Sequence, residues 1–147
     1  MTDASYQPFL AKIGSAGSFV SVEDILSGRG LENVGKALTG NDETAAKIME
    51  MASQGDENSK KVAHLLTACA GSFFGDLALI LLSFGGIYFI GGVARSLKKY
   101  LTSEIFVEAF CNKGRFSKFN QKFLVHLVLD DYAALKGCRN FVMQTFH

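Results

Sequence analysis

Leu77-Ala78-Leu79-Ile80-Leu81-Leu82-Ser83-Phe84-Gly85-Gly86-Ile87-Tyr88-Phe89-Ile90-Gly91-Gly92-Val93-Ala94 is the stretch on which the fold turns. These eighteen residues carry no charge, close to the roughly twenty predominantly apolar residues of a membrane helix. Gly85-Gly86 and Gly91-Gly92 interrupt the run twice, however, and divide it into the end of a buried helix and a separate strand. Gly86 to Gly92 encloses a run of β-formers short enough to be a fully buried strand. On that division the chain is not a membrane protein.

Towards the N-terminus, apolar residues recur at three- and four-residue spacing from Lys60 to Ser83 (Val62, Leu65, Leu66, Cys69, Phe73, Leu77). This predicts a long helix, amphipathic first and apolar all round at its end. Before it come a polar linker, Gln54 to Ser59, a helix Glu43 to Ser53 capped by Asn41 or Asp42, and a short helix Leu31 to Leu38 closed by Gly40. Ser21-Val22-Glu23-Asp24 has the form of a capping box; Ser27-Gly28-Arg29-Gly30 breaks the turn it opens, with Gly28 as a helix-end residue. Pro8 to Ile13 reads as a helix tail and Gly14 to Ser18 as a loose connector. Towards the C-terminus, Val93 to Leu101 and Glu104 to Phe110 return to helical spacing. Val125 to Leu129 is a second buried strand, and Asp130 or Asp131 caps a terminal helix, Tyr132 to Phe146.

The order helix, strand, helix, helix, strand, helix signals a helix-rich α/β architecture with adjacent parallel strands. Two strands leave both sheet edges unpaired, so the sheet is expected to be part of a larger one. The 147 residues suit one domain, and a hydrophobic share of 48% with 20% charged residues supports a core and excludes a disordered tail. The net charge of +1 excludes a polybasic nucleic-acid binder but hides an asymmetry. Residues 1–60 hold five basic and nine acidic side chains, residues 61–147 ten and five. Cys69, Cys111 and Cys138 have no CxxC or Cys/His spacing and read as reduced thiols of a cytoplasmic protein.

Four segments in order resemble those of bacterial glucokinases, ATP-dependent hexose kinases of the hexokinase/actin-like ATPase superfamily. Val20 to Leu31 resembles V-S-x-E-x-(I/V)-L-S-G-x-G-L. Gly75-Asp76-Leu77-Ala78-Leu79 resembles G-(N/D)-L-A-L, Phe84 to Gly92 resembles F-G-G-(V/I)-(Y/F)-(I/V)-x-G-G, and Phe110 to Phe116 resembles F-x-x-K-G-R-F. The resemblance implies the C-terminal part of a ribonuclease H-like (actin-like ATPase) large domain, with a helical sugar-side segment over 1–59 and an α/β nucleotide-side segment over 60–147. The family's D-x-G-G-T phosphate loop, its Asn-Asp pair with the general base, its second phosphate loop and its E-G-G-H sugar segment do not occur here. The chain then corresponds to the C-terminal half, starting after the E-G-G-H region, with the first strands of the sheet outside it.

The same resemblance assigns candidate residues. Glu23 matches the Glu that accepts hydrogen bonds from glucose hydroxyls, a task suited to a charged acceptor; the plainer reading is a first-turn carboxylate offsetting a helix dipole. Gly91 and Gly92 match a glycine pair that lets the backbone approach the adenosine of ATP, with amide donors at the start of the following helix; the plainer reading is a tight strand-to-helix turn. Relatives commonly continue Gly-Gly-Ile-Val-Pro-Arg, whereas this chain has Val93-Ala94-Arg95-Ser96. Ser27-Gly28-Arg29-Gly30 lacks the Lys-Ser/Thr and preceding strand of a P-loop. Lys113-Gly114-Arg115-Phe116 is either a turn with two solvated cations or a hold on nucleotide phosphates, and residues 95–122 hold seven cations against two acids. His64 and His126 read as packed or surface histidines, and neither a metal site nor a Ser/His/Asp triad is evident.

The expected function is part of a glucokinase that uses ATP with Mg2+ to convert glucose to glucose 6-phosphate. Expected partners are glucose, ATP and the N-terminal half in cis or trans, with a homodimer also open. Without the base and phosphate loops the chain alone is expected to be inactive. The alternatives are a non-catalytic interaction protein derived from a kinase half and one subunit of a split enzyme.

Overall fold

The computed structural model describes residues 21–145. The expected helix tail Pro8–Ile13 and the connector at 14–18 lie outside the described residues.

A one-turn 3-10 helix, Val22–Asp24, opens the described chain, and the Asp24 carboxylate accepts from the Ser21 amide at 2.8 Å, as the capping-box pattern predicts. The break expected at residues 27–30 is instead the start of a helix. Ser27 caps α1 (Gly28–Thr39), accepting from Gly30 N at 3.0 Å, so Gly28 is the first helical residue and not a helix end. Gly30 is buried there against Ile25, whose carbonyl a Cβ would overlap. Gly40 closes α1 in the left-handed conformation at φ 75°.

Thr44, rather than Asn41 or Asp42, caps α2 (Ala45–Gln54). Of the expected polar linker only Gly55 and Asp56 lie between helices. Asp56 accepts from Ser59 N at 2.7 Å and opens α3 (Glu57–Leu81) three residues earlier than expected. Hydrogen bonds from Ser59 hold the Asp56 carboxyl below its ordinary range.

By length and composition α3 is long and apolar enough to cross a membrane. In the fold it is the central helix, packed on α1 and α2 on one side and on α6 (Glu104–Cys111) on the other. Two clusters meet along it. Ile25, Leu31, Val34, Ile48, Val62, Leu65 and Leu66 form one. The second gathers Ala63, Ala70, Ala78, Tyr100, Phe106, Phe110 and Phe123.

The contact with α6 is close because two glycines face it. A Cβ on Gly71 would lie 2.6 Å from the Phe106 carbonyl, and one on Gly75 would overlap the Phe110 carbonyl. Asn120, fully buried, joins the two helices by donating from Nδ2 to the carbonyls of Gly75 (3.0 Å) and Phe110 (2.7 Å).

Helix α3 ends at Leu82, which caps it at φ 47° and is the one described non-glycine residue with positive φ. After Gly86 the chain enters β1 (Ile87–Phe89), which pairs in parallel with β2 (Val125–Leu127) in the register Ile87↔Val125, Tyr88↔His126, Phe89↔Leu127. Both strands are shorter than expected, and neither is fully buried. Ile87, Phe89, Val125 and Leu127 pack on the core, while Tyr88 is 61% exposed and stacks on His126 at 4.7 Å. Among the described residues only one face of the pair is covered, so the strands alternate.

The helix expected over 93–101 is broken at Leu97 into α4 (Gly92–Ser96) and α5 (Lys98–Leu101). After α6 come a 3-10 turn, Gly114–Phe116, the short α7 (Ser117–Asn120), β2, and the terminal α8 (Ala133–Thr145), none of whose residues is buried.

Candidate functional site

The turn carrying Glu23 is anchored by Ile25, 7% exposed, and by the Gly30 approach described above. This leaves the Glu23 side chain outside the core. Its Oε1 lies 3.4 Å from Arg29 Nη2, with side chains 69% and 81% exposed. Such an exposed pair contributes little to stability, so the carboxylate remains available to an outside donor.

The glycine pair follows β1. Gly91 has φ 106° and ψ 178°, a region open essentially to glycine alone, whereas Gly92 is the first residue of α4. A Cβ at either position would meet nothing within 4 Å. Gly91 is therefore required by its own backbone, and the space over Gly92 is open. The expected helix N-terminus contracts to the five residues of α4, too short to aim a helix dipole.

The two sequence-predicted segments come together. A Cβ on Gly28 would lie 3.9 Å from Val93 Cγ2. Leu26 and Ser27 share with Phe74, Phe89, Ile90 and Val93 an apolar cleft of about 200 Å³. The cleft opens at the carboxyl end of β1, where ligands bind in open parallel sheets. Across the carboxyl ends of both strands, Arg95 Nη2 meets Asp131 Oδ1 at 2.6 Å.

Lys113 is not brought to this cleft and is not a solvated cation. Its side chain is 8% exposed, and Nζ donates to the Ser72 carbonyl at 2.7 Å and to Asp76 Oδ1 at 2.8 Å. It ties the loop after α6 to the middle of α3. Arg115 is exposed over the ring of Phe116 at 4.9 Å. Sequence reasoning missed the Lys113 anchor and Asn120, because their partners are 41 and 45 residues away.

His64 packs edge-on against Tyr100 at 5.7 Å. The three cysteines are free, and burial raises the thiol pKa of Cys69 and Cys111. Among the described residues no group of three His, Cys, Asp or Glu side chains could hold a metal ion.

The family model for Glucokinase matches residues 3–145. Over 127 residues the chain is 36% identical to a glucokinase of Caulobacter vibrioides, covering 82% of this chain and 38% of the relative. It is 31% identical to the glucokinase of Psychromonas ingrahamii, covering 97% of this chain and 46% of that one. The crystal structure of a glucokinase from an Antarctic psychrotroph superposes with a TM-score of 0.87 at 27% identity, over 99% of this chain and 47% of its own. The chain thus spans less than half the length of these proteins. A helix-rich body on two parallel strands, matched over almost its whole length in sequence and in structure, belongs to the glucokinase family.

Proposed function

We propose that the chain supplies the sugar-side carboxylate and part of the nucleotide side of an ATP-dependent glucokinase, as the last part of a ribonuclease H-like large domain. The reading rests on one observation above all: Leu26 and Ser27, which follow the Glu23 turn, and Ile90 and Val93, which flank the glycine pair in sequence, line one cleft beside β1 although they are more than sixty residues apart. Glu23 accepts hydrogen bonds from glucose hydroxyls; its exposure and its weak pairing with Arg29 suit an exchange of one donor for another.

The open space over Gly91 and Gly92 fits a flat base approaching the backbone, with Phe89, Ile90 and Val93 as apolar walls. ATP, carried with Mg2+, supplies the phosphoryl group when bound. Lys113 and Arg95 are engaged in ion pairs; in this reading the phosphates and the proton of the attacking hydroxyl are handled by residues of the family enzyme outside this chain. The chain by itself is then inactive.

Co-expression with the part of the Caulobacter vibrioides relative outside the match is expected to give glucose-dependent ADP formation. Glu23→Gln should lower glucose affinity roughly ten- to hundredfold, the scale of a lost charged hydrogen bond. Equal glucose binding by both forms overturns the sugar assignment, and turnover by the purified 147-residue chain alone overturns the division of labour.

A further inference from the structure

The end of α3 leaves the core. Ile80, Leu81 and Leu82 are 72%, 68% and 54% exposed, and Phe84, two residues on, is 61% exposed. Ile80 and Leu82 share an open groove of about 380 Å³ with Leu79 and with Phe116 and Phe119, which come from the turn after α6 and from α7. Phe84 extends this apolar area, its ring 6.0 Å from that of Phe119. Leu82 is held at φ 47°, a left-handed conformation that favours glycine at a helix end. A leucine there strains the backbone and bares apolar area at once, and such an outlier points to a use for the side chain.

The aromatic walls of the groove carry cations. The Arg115 guanidinium lies 4.9 Å over the Phe116 ring, and Lys122 Nζ lies 5.4 Å over that of Phe119. Arg115, Lys118 and Lys122 form no ion pair among the described residues. Residues 77–86 and 114–124, which build this tip, contain no carboxylate, and the neighbouring Asp76 is already engaged by Lys113. The tip is therefore apolar and positive together. The apolar side chains crowd a helix end and the turn beside it, instead of forming the helix stripe or sheet edge by which a partner chain is recognised. An anionic lipid surface matches both properties, since it takes apolar side chains into the boundary below its headgroups and cations onto its phosphates.

We propose that this tip is a docking surface for bilayers rich in anionic phospholipid, on which the chain rests without spanning. The tip precedes β1 and β2 in the chain and so lies at their amino ends, away from the cleft at the carboxyl end of β1. The contact does not depend on the kinase reading.

The test floats the full 147-residue chain with vesicles of phosphatidylcholine alone and of phosphatidylcholine mixed in equal parts with phosphatidylglycerol. Binding should be about a hundredfold tighter to the anionic vesicles, roughly fivefold for each of the three cations, and should fall to the neutral level in about 1 M salt. Replacing Arg115, Lys118 and Lys122 together by Gln should remove the preference and leave the thermal midpoint unchanged. Leu82→Gly should raise the thermal midpoint, because the left-handed position favours glycine, and still weaken vesicle binding roughly tenfold, the scale of one or two methylene groups withdrawn from the bilayer.

Equal binding to the two vesicle types, a preference that survives the triple substitution, or undiminished binding by Leu82→Gly overturns the proposal. Full competition by soluble glycerol phosphate overturns it in favour of a free anion, and self-association without vesicles that Leu82→Gly abolishes does so in favour of a second copy. Loss of vesicle binding on co-expression with the part of the Caulobacter vibrioides glucokinase outside the match overturns it in favour of that part.

Discussion

The junction of α3 with α6 and the strand pair β1–β2 stand beside each other in this chain and are finished to different degrees. At the junction, glycines bring two helix backbones together, Asn120 ties the Gly75 and Phe110 carbonyls, and Lys113 ties Ser72 and Asp76. The strand pair rests on the core through one face only, with Tyr88, Leu124 and Leu129 53% to 61% exposed. The first region is closed by residues within the chain; the second offers hydrogen-bonding edges and apolar area that no other described residue covers. Substitutions in the first should be read out as stability, and those around the second as ligand binding or association.

The largest effect is expected at the junction. Gly75→Val forces a branched side chain against the Phe110 carbonyl and should lower stability by about 3 kcal/mol, the upper range for overpacking. Denaturant unfolding of the 147-residue chain measures it, and a loss under about 0.5 kcal/mol, the size of an ordinary surface change, would break the contrast.

Lys113→Met comes next. It keeps the buried stem but removes the donor to Ser72 and Asp76, for a loss of about 1 to 2 kcal/mol. Nucleotide affinity of the co-expressed complex should stay within twofold; a large loss there with stability intact would return Lys113 to the phosphates.

The smallest effect on stability sharpens the comparison most. Gly91→Ala strains a glycine-only conformation and should cost about 1 kcal/mol or more, whereas Gly92→Ala should leave the melting temperature within a degree or two and still weaken ATP binding. An alanine at 92 that leaves ATP affinity untouched would mean that the backbone is not closely approached there.

The sequence pattern carried the long helix, the two strands and their parallel pairing. These are local periodicities, or consequences of strand number. Strand burial was misjudged because an unbroken apolar run such as Ile87 to Ile90 does not say how many of its faces are covered. The break at Leu97 carries no Gly or Pro to announce it, and Gly28 has the same local pattern whether it ends one helix or starts another; only the Ser27 hydroxyl on Gly30 N decides.

For the site, Glu23 and the glycine pair were named from the sequence, and the segments that carry them come together only because Gly28 meets Val93 across the fold. Lys113 read in the sequence as a solvated turn cation or a hold on phosphates, and has the environment of a tertiary anchor. The discriminating fact, a side chain 8% exposed, is a property of packing.

The edge of β1, unpaired among the described residues, also bears on how the chain behaves in concentrated solution. Ile87-Tyr88-Phe89-Ile90 is an uncharged, β-prone segment without proline, and the nearest charges along the chain are Asp76 and Arg95. Such an edge is a template for other copies of itself. The isolated chain should therefore lose soluble material steeply with concentration, by intermolecular strand addition that thioflavin fluorescence would register. A single lysine on the exposed side at Tyr88 would act as a gatekeeper against that loss.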